Sequence, residues 1–208
     1  YQPAEGTVIP ERLVGYGRRQ RSLARDVVVA IDQSASMADS VVYASVFSAV
    51  LASLPALRTS VVAFDTAVAD LTPLLHDPVE VLFGVQLGGG TDIASAIGYC
   101  QRLIDRPADT VLVLVSDLFE GGNSALLHER IAALHQAGVC VVVLLALSDE
   151  GAPVYDHGQA TAFAAMGVPA FACTPDAFPD LLAAALERRD VGRWANEHGM
   201  HTVAPPAG

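Results

Sequence analysis

The sequence predicts an α/β fold: a doubly wound, mostly parallel central sheet with helices on both faces and one antiparallel edge strand. Three observations carry this expectation. Val27–Ile31, Val111–Val115 and Val139–Leu147 are short, β-branched runs without polar alternation, the pattern of strands buried on both faces. Between them lie segments in which apolar residues recur every three or four positions, the period of a helix with one buried face. A tight turn near Asp65-Thr66 separates two further strand-like runs and makes one of them antiparallel.

The elements follow in order. Val27–Ile31 ends at Asp32. Residues 38–54 repeat Val42, Val46, Val50 and Leu54 at helical spacing, and Pro55 closes that helix. Thr59–Phe64 is a second strand and Ala67–Leu71 a third, with Pro73 and Pro78 marking loop. Gly88-Gly89-Gly90-Thr91-Asp92 opens a helix whose Ile93, Ile97, Cys100 and Ile104 share a face. The strand Val111–Val115 runs into Ser116-Asp117. A helix over 125–136 turns Leu127, Ile131 and Leu134 inward, and Val139–Leu147 is the next strand. Residues 157–166 are expected to be helical, Ala170–Cys173 a short strand, and 176–189 a last helix introduced by Thr174-Pro175. From Val191 the periodicity dissolves. The expected organisation is therefore an Arg-rich segment over 1–25, one domain over 26–190 and a loose tail over 191–208.

Composition narrows the chemistry. The chain has 12 basic residues, all of them Arg. With no lysine there is no P-loop, protein-kinase or Schiff-base lysine. Residues 1–25 carry five Arg against two Glu, whereas the remainder carries seven Arg against 21 acidic residues. So acidic a body repels phosphate, and no nucleic-acid partner is expected. No apolar run approaches the roughly 20 residues of a membrane helix. The three Cys (100, 140 and 173) are odd in number, far apart and in apolar surroundings, the usage of buried thiols in a reducing compartment. A cytoplasmic location is expected. The chain opens at Tyr1 without a signal pattern, as a piece of a longer protein would.

The informative polar residues lie at strand ends, where ligand sites of such folds form. An Asp just beyond a buried strand is costly unless it is solvated, hydrogen-bonded or bound to a cation. Asp32 and Asp117 both occupy that position. Asp32-Gln33-Ser34-Ala35-Ser36 sets three oxygen side chains at alternate positions, on one side of an extended segment. Thr91 adds a hydroxyl from a glycine-rich loop, where the backbone can approach closely. Two carboxylates and three hydroxyls form a hard, all-oxygen set suited to Mg²⁺, Mn²⁺ or Ca²⁺ and not to Zn²⁺.

These residues resemble the metal-ion-dependent adhesion site of von Willebrand factor A (VWA) domains. Asp32-Gln33-Ser34-Ala35-Ser36 matches the Asp-x-Ser-x-Ser signature, Gly89-Gly90-Thr91-Asp92-Ile93 is similar to the threonine loop, and Val115-Ser116-Asp117 to the second aspartate. The resemblance spans about 26–190. It implies Ser34 and Ser36 as direct ligands of Mg²⁺, Thr91 as a ligand when a partner is bound, and Asp32 and Asp117 acting directly or through water. It also implies a protein partner that supplies an Asp or Glu. The wording around the motif is closer to bacterial intracellular VWA proteins that work beside MoxR-type AAA+ ATPases in protein maturation or remodelling. One departure stands out: many members have Thr-Asp-Gly at the second aspartate, whereas here Leu118-Phe119-Glu120 follows Asp117. Phe119 and Glu120 either line the rim of the site or are, respectively, buried and solvated.

Rival readings fit less well. The third glycine of a dinucleotide fingerprint is replaced by Ile93, and the glycine loop follows Phe83–Leu87 and not the first strand. An Asp-x-Asp phosphatase needs a carboxylate where Ser34 stands. There is no Gly-x-Ser-x-Gly elbow, and no His has a Ser or Cys partner by motif. Ser34 and Ser36 as plain helix caps remain an alternative. The expected function is non-enzymatic: a cation-dependent protein-interaction module. The alternatives are a metal-dependent hydrolase with Glu120 as base, and an adaptor that binds through a helix or through Arg-rich 12–25.

Overall fold

The computed structural model describes residues 25–37, 57–75, 89–145 and 154–205. Six strands form one sheet: β1 (Arg25–Asp32), β2 (Leu57–Phe64), β3 (Val68–Asp70), β4 (Thr110–Ser116), β5 (Cys140–Leu145) and β6 (Ala170–Phe171). Their order is β3-β2-β1-β4-β5-β6. Every pairing is parallel except β2 with β3, so the fold is the expected doubly wound α/β sheet with an antiparallel edge. Five α-helices accompany it among the described residues: α1 (Ile93–Leu103), α2 (Ser124–Gln136), α3 (His157–Ala165), α4 (Phe178–Leu186) and α5 (Val191–Glu197).

The apolar strands divide their side chains by the period-2 rule. Val27, Val29, Ile31, Val113, Val115 and Leu144 face a core completed by Phe178, Leu181 and Trp194 of α4 and α5. Val28, Ala30, Leu112, Leu114 and Val143 face the other core, with Ile93, Ile97, Leu127, Ile131 and Phe163 of α1 to α3. Both faces are covered, which is why these strands carry no polar alternation. Strand order reverses between β1 and β4, so the carboxyl ends of those two strands flank the switch point.

Several boundaries differ from the sequence pattern. The helix predicted over 38–54, the loop at Pro78, the run Phe83–Leu87, Gly88 and the strand end at Ala146-Leu147 lie outside the described residues, as does the Arg-rich segment up to residue 24. The strand predicted over Ala170–Cys173 is reduced to Ala170–Phe171, because only these two residues find partners, Val143 and Leu144. The helix predicted over 176–189 begins as a 3₁₀ turn at Pro175–Ala177 and ends at Leu186. Beyond it Arg188 has φ +59°, and its guanidinium donates to the carbonyls of Pro107, Ala108, Thr110 and Gly138. That turn ends α4.

Regular structure does not stop at Val191, as the pattern suggested. Asp190 caps α5 by accepting from the Arg193 amide (2.9 Å), and Val191, Trp194 and Ala195 enter the core. Three inward residues in a seven-residue helix are too few to register as a period. The chain beyond α5 is anchored as well: the Val203 amide donates to the Ala170 carbonyl (2.9 Å), along the exposed side of β6.

Candidate metal centre

Register brings the first two site elements together. Ile31 pairs with Val115, so Asp32 emerges opposite Ser116. The Ser116 hydroxyl donates to Asp32 Oδ2 (2.7 Å) and accepts from the Leu118 amide (2.9 Å). Asp32 Oδ1 accepts from the Ser34 amide (2.9 Å). Asp32 is therefore fully buried with both oxygens engaged. Burial, only partly offset by those hydrogen bonds and reinforced by the charge of Asp117, pushes its carboxyl above the ordinary value.

The Ser34 and Ser36 hydroxyls lie 3.2 Å apart, Ser34 buried and Ser36 exposed, so this pair leads from the interior to solvent. Asp117 is 3% exposed; its Oδ1 accepts from the Phe119 amide (3.2 Å) and its carbonyl from the Asp156 amide (2.8 Å). Among the described residues neither Asp32 nor Asp117 has an Arg or His ion pair.

Backbone hydrogen bonds stitch the threonine loop to the other two. The Ala35 amide donates to the Gly89 carbonyl (3.4 Å), and the Gly121 amide to the Thr91 carbonyl (2.9 Å). Thr91 itself is buried, and Asp92 after it caps α1 by accepting from the Ser95 amide (2.8 Å). All five residues singled out from the sequence, Asp32, Ser34, Ser36, Thr91 and Asp117, thus lie on three mutually bonded loops at the β1 and β4 ends of the sheet.

The supporting contacts of three residues escaped the sequence reading, although Ser116 and Glu120 were named there in other roles. Ser116 links the two aspartate loops. Asp65 is buried; its Oδ2 accepts from the Gly89 amide (3.1 Å) and its carbonyl from the Asp92 amide (2.8 Å), which brackets Thr91. A signal for it existed, since Asp65 also follows directly on an apolar strand. Glu120 is neither on an open rim nor simply solvated. Its Oε2 accepts from the Ile93 amide (2.7 Å) and its Oε1 from the Gly122 amide (2.9 Å), so it caps α1 from a neighbouring loop. Partial burial raises its carboxyl. Phe119, by contrast, is 46% exposed and not buried, two residues beyond Asp117.

The donor chemistry fits a hard divalent ion. Two buried carboxylates without a cationic partner and a close pair of hydroxyls reaching solvent suit Mg²⁺, Mn²⁺ or Ca²⁺. Among the described residues no three His, Cys, Asp or Glu side chains group as metal ligands, so a metal here would depend on the Ser and Thr hydroxyls as well.

Known proteins agree with the architecture. A family model for VWA domain-containing CoxE-like proteins matches residues 6–182. The YehP protein of Escherichia coli (strain K12) is 45% identical over 169 residues, 81% of this chain and 45% of YehP, so the chain spans less than half the length of that relative. An aerotolerance-related membrane protein from Bacteroides fragilis superposes with a TM-score of 0.61 at 15% identity, covering 79% of this chain and 100% of that one. A von Willebrand factor type A protein from Catenulispora acidiphila gives 0.58 at 15% identity, covering 81% and 42%. These two likenesses bear on the fold, and the family match and YehP bear on descent. The chain belongs to the family of VWA domain-containing CoxE-like proteins.

Proposed function

We propose that this domain is a divalent-cation-dependent protein-interaction module. VWA domains are typically metal-dependent interaction modules, and they commonly bind a divalent metal. The finer reading is that Asp32, Ser34, Ser36, Thr91 and Asp117 hold Mg²⁺, with Mn²⁺ or Ca²⁺ as substitutes, and that a partner's Asp or Glu carboxylate completes the site. The observation that carries it is the pair of buried carboxylates, without an Arg or His ion pair among the described residues, on loops bonded to a close pair of serine hydroxyls of which Ser34 is buried and Ser36 exposed. A bound divalent ion would supply a positive centre on a chain of net charge −11. Ser34 and Ser36 offer neutral oxygens, which leave such a charge under-compensated and open to an outside anion. Asp32, with both oxygens engaged, orients the Ser34 and Ser116 groups instead of pointing at solvent. The chain's net charge of −11 repels an acidic partner at long range, so attraction is confined to the site itself.

Recognition is favoured over hydrolysis by Glu120. It was the candidate base, yet both its oxygens accept amide hydrogen bonds that hold α1 and the loop. CoxE-like VWA proteins are associated with MoxR-type ATPases. A role beside such an AAA+ ATPase in protein remodelling, in the cytoplasm, is the setting we favour. No described helix is long and apolar enough to cross a membrane.

The test has two stages. Mg²⁺ or Mn²⁺ at about a hundred times its Kd stabilises by roughly 2.7 kcal/mol, a rise in Tm of about 5–10 °C over EDTA for a domain of this size. Ser34→Ala should remove most of that rise. Binding to a co-purified ATPase partner is then measured with and without EDTA. The absence of any cation-dependent shift overturns the metal site. Cation-independent binding, unaffected by Ser34→Ala, overturns the carboxylate mechanism.

A further inference from the structure

Among the described residues two large apolar side chains are exposed, Phe119 at 46% and Val154 at 65%. Single exposed apolar residues are ordinary, but these two share an attachment. The Asp117 carbonyl accepts from the Asp156 amide; Phe119 lies two residues after the one, Val154 two residues before the other. The Phe119 amide also donates directly to the Asp117 carboxylate (3.2 Å).

Neither side chain sits on a loose segment. Leu118 is completely buried in the left-handed conformation (φ +64°), which turns the chain so that Leu118 enters the core and Phe119 leaves it. Glu120 then ties the loop to α1. On the other side Tyr155 packs against the core formed with α1 to α3, and its ring lies 4.2 Å from that of His157. The fold spends an unfavourable backbone conformation beside the metal site while leaving a phenyl ring in water, the combination expected of a recognition surface.

We propose that Phe119 and Val154 form an apolar shelf beside the metal centre, and that the partner is a protein segment in which an Asp or Glu is flanked by an apolar residue. This rests on the carboxylate-binding reading above. Charge complementarity selects the occupant: on a chain of net charge −11 a bound cation would be the point that attracts a carboxylate, and its neighbours in the partner chain would then fall on the shelf. The shelf also supplies short-range attraction that a net-acidic domain needs to hold an acidic segment.

The probe is a phage-displayed library of random linear peptides, panned on the domain in Mg²⁺ and eluted with EDTA. The expected clones carry an acidic residue with Leu, Ile, Phe or Met within two positions. For a synthetic peptide of the leading clone, Phe119→Ser should weaken binding about tenfold, the equivalent of about half a phenyl ring's burial. Val154→Ser should weaken it less, and both variants should keep the wild-type Mn²⁺ affinity and Tm. EDTA-eluted acidic clones without an apolar neighbour, or peptide affinity unchanged in Phe119→Ser and Val154→Ser, overturn the shelf and leave the carboxylate reading standing. Failure to recover any acidic, EDTA-eluted clone overturns both.

Discussion

Leu118 occupies a backbone conformation that usually belongs to glycine, and this can be measured. Its φ is +64° and its side chain is fully buried. The left-handed region costs a residue with a Cβ about 1–2 kcal/mol. Burial of the leucine side chain contributes about 1.5–3 kcal/mol in return. Leu118→Ala should lose that burial, leave a cavity and keep the backbone cost, for a total of about 2–5 kcal/mol. Leu118→Gly loses the same contacts but releases the backbone. Against that release stands the greater freedom of glycine in the unfolded chain, about 0.4–1 kcal/mol. The net expectation is that Leu118→Gly is more stable than Leu118→Ala by roughly 0.5–1 kcal/mol, or about 1–4 °C in Tm. Urea denaturation of both variants in EDTA gives the difference, with the metal removed as a variable. An alanine variant as stable as the glycine variant, or more so, would refute the backbone argument.

Other perturbations separate the parts of the site. Glu120→Ala should lower stability by about 1–2 kcal/mol and weaken Mn²⁺ binding, because it frees the Ile93 and Gly122 amides; Glu120→Gln keeps one accepting oxygen but turns an NH2 toward the other amide, so in calorimetric titration it should fall between the wild type and Glu120→Ala. A Cβ at Gly121 would lie 2.8 Å from the Thr91 carbonyl oxygen, so Gly121→Ala should displace the threonine loop; retention of wild-type Mn²⁺ affinity would show that this contact does not set the site. Trp194, at 4% exposure and stacked on His198, makes α5 part of the core: Trp194→Ala should cost about 3–5 kcal/mol, and a melt shifted by less than a degree or two would return α5 to the status of a dispensable tail. Burial raises the thiols of Cys100 and Cys173 from 9.0 to about 12. The folded state favours the neutral thiol, so the stability it lends is full below pH 9 and is lost as pH rises toward 12. Iodoacetamide at pH 8.5 should therefore modify both far more slowly in the native protein than in urea, and equal rates would contradict the burial.

The fold class was legible, and the five candidate residues could be singled out, because each left a local mark. Strands covered on both faces must be continuously apolar, and an Asp at the end of such a strand needs a stated reason to be there. Asp32 and Asp117 met both conditions, and Ser34, Ser36 and Thr91 stood in a spacing that carries its own chemistry. Asp65 met them too, but its strand end also formed a turn, and the turn explained it away. What escaped depends on contacts between segments distant in sequence. Glu120 caps a helix that begins 27 residues earlier, and Ser116 meets Asp32 only because β1 and β4 are neighbours in register. Helix α5 shows too few inward residues to produce a period, and becomes visible through Trp194 in the core. Leu118 and Phe119 are adjacent and equally apolar in sequence. Only the left-handed turn, closed by Ser116 and Glu120, decides that the first is buried and the second is left exposed two residues beyond Asp117.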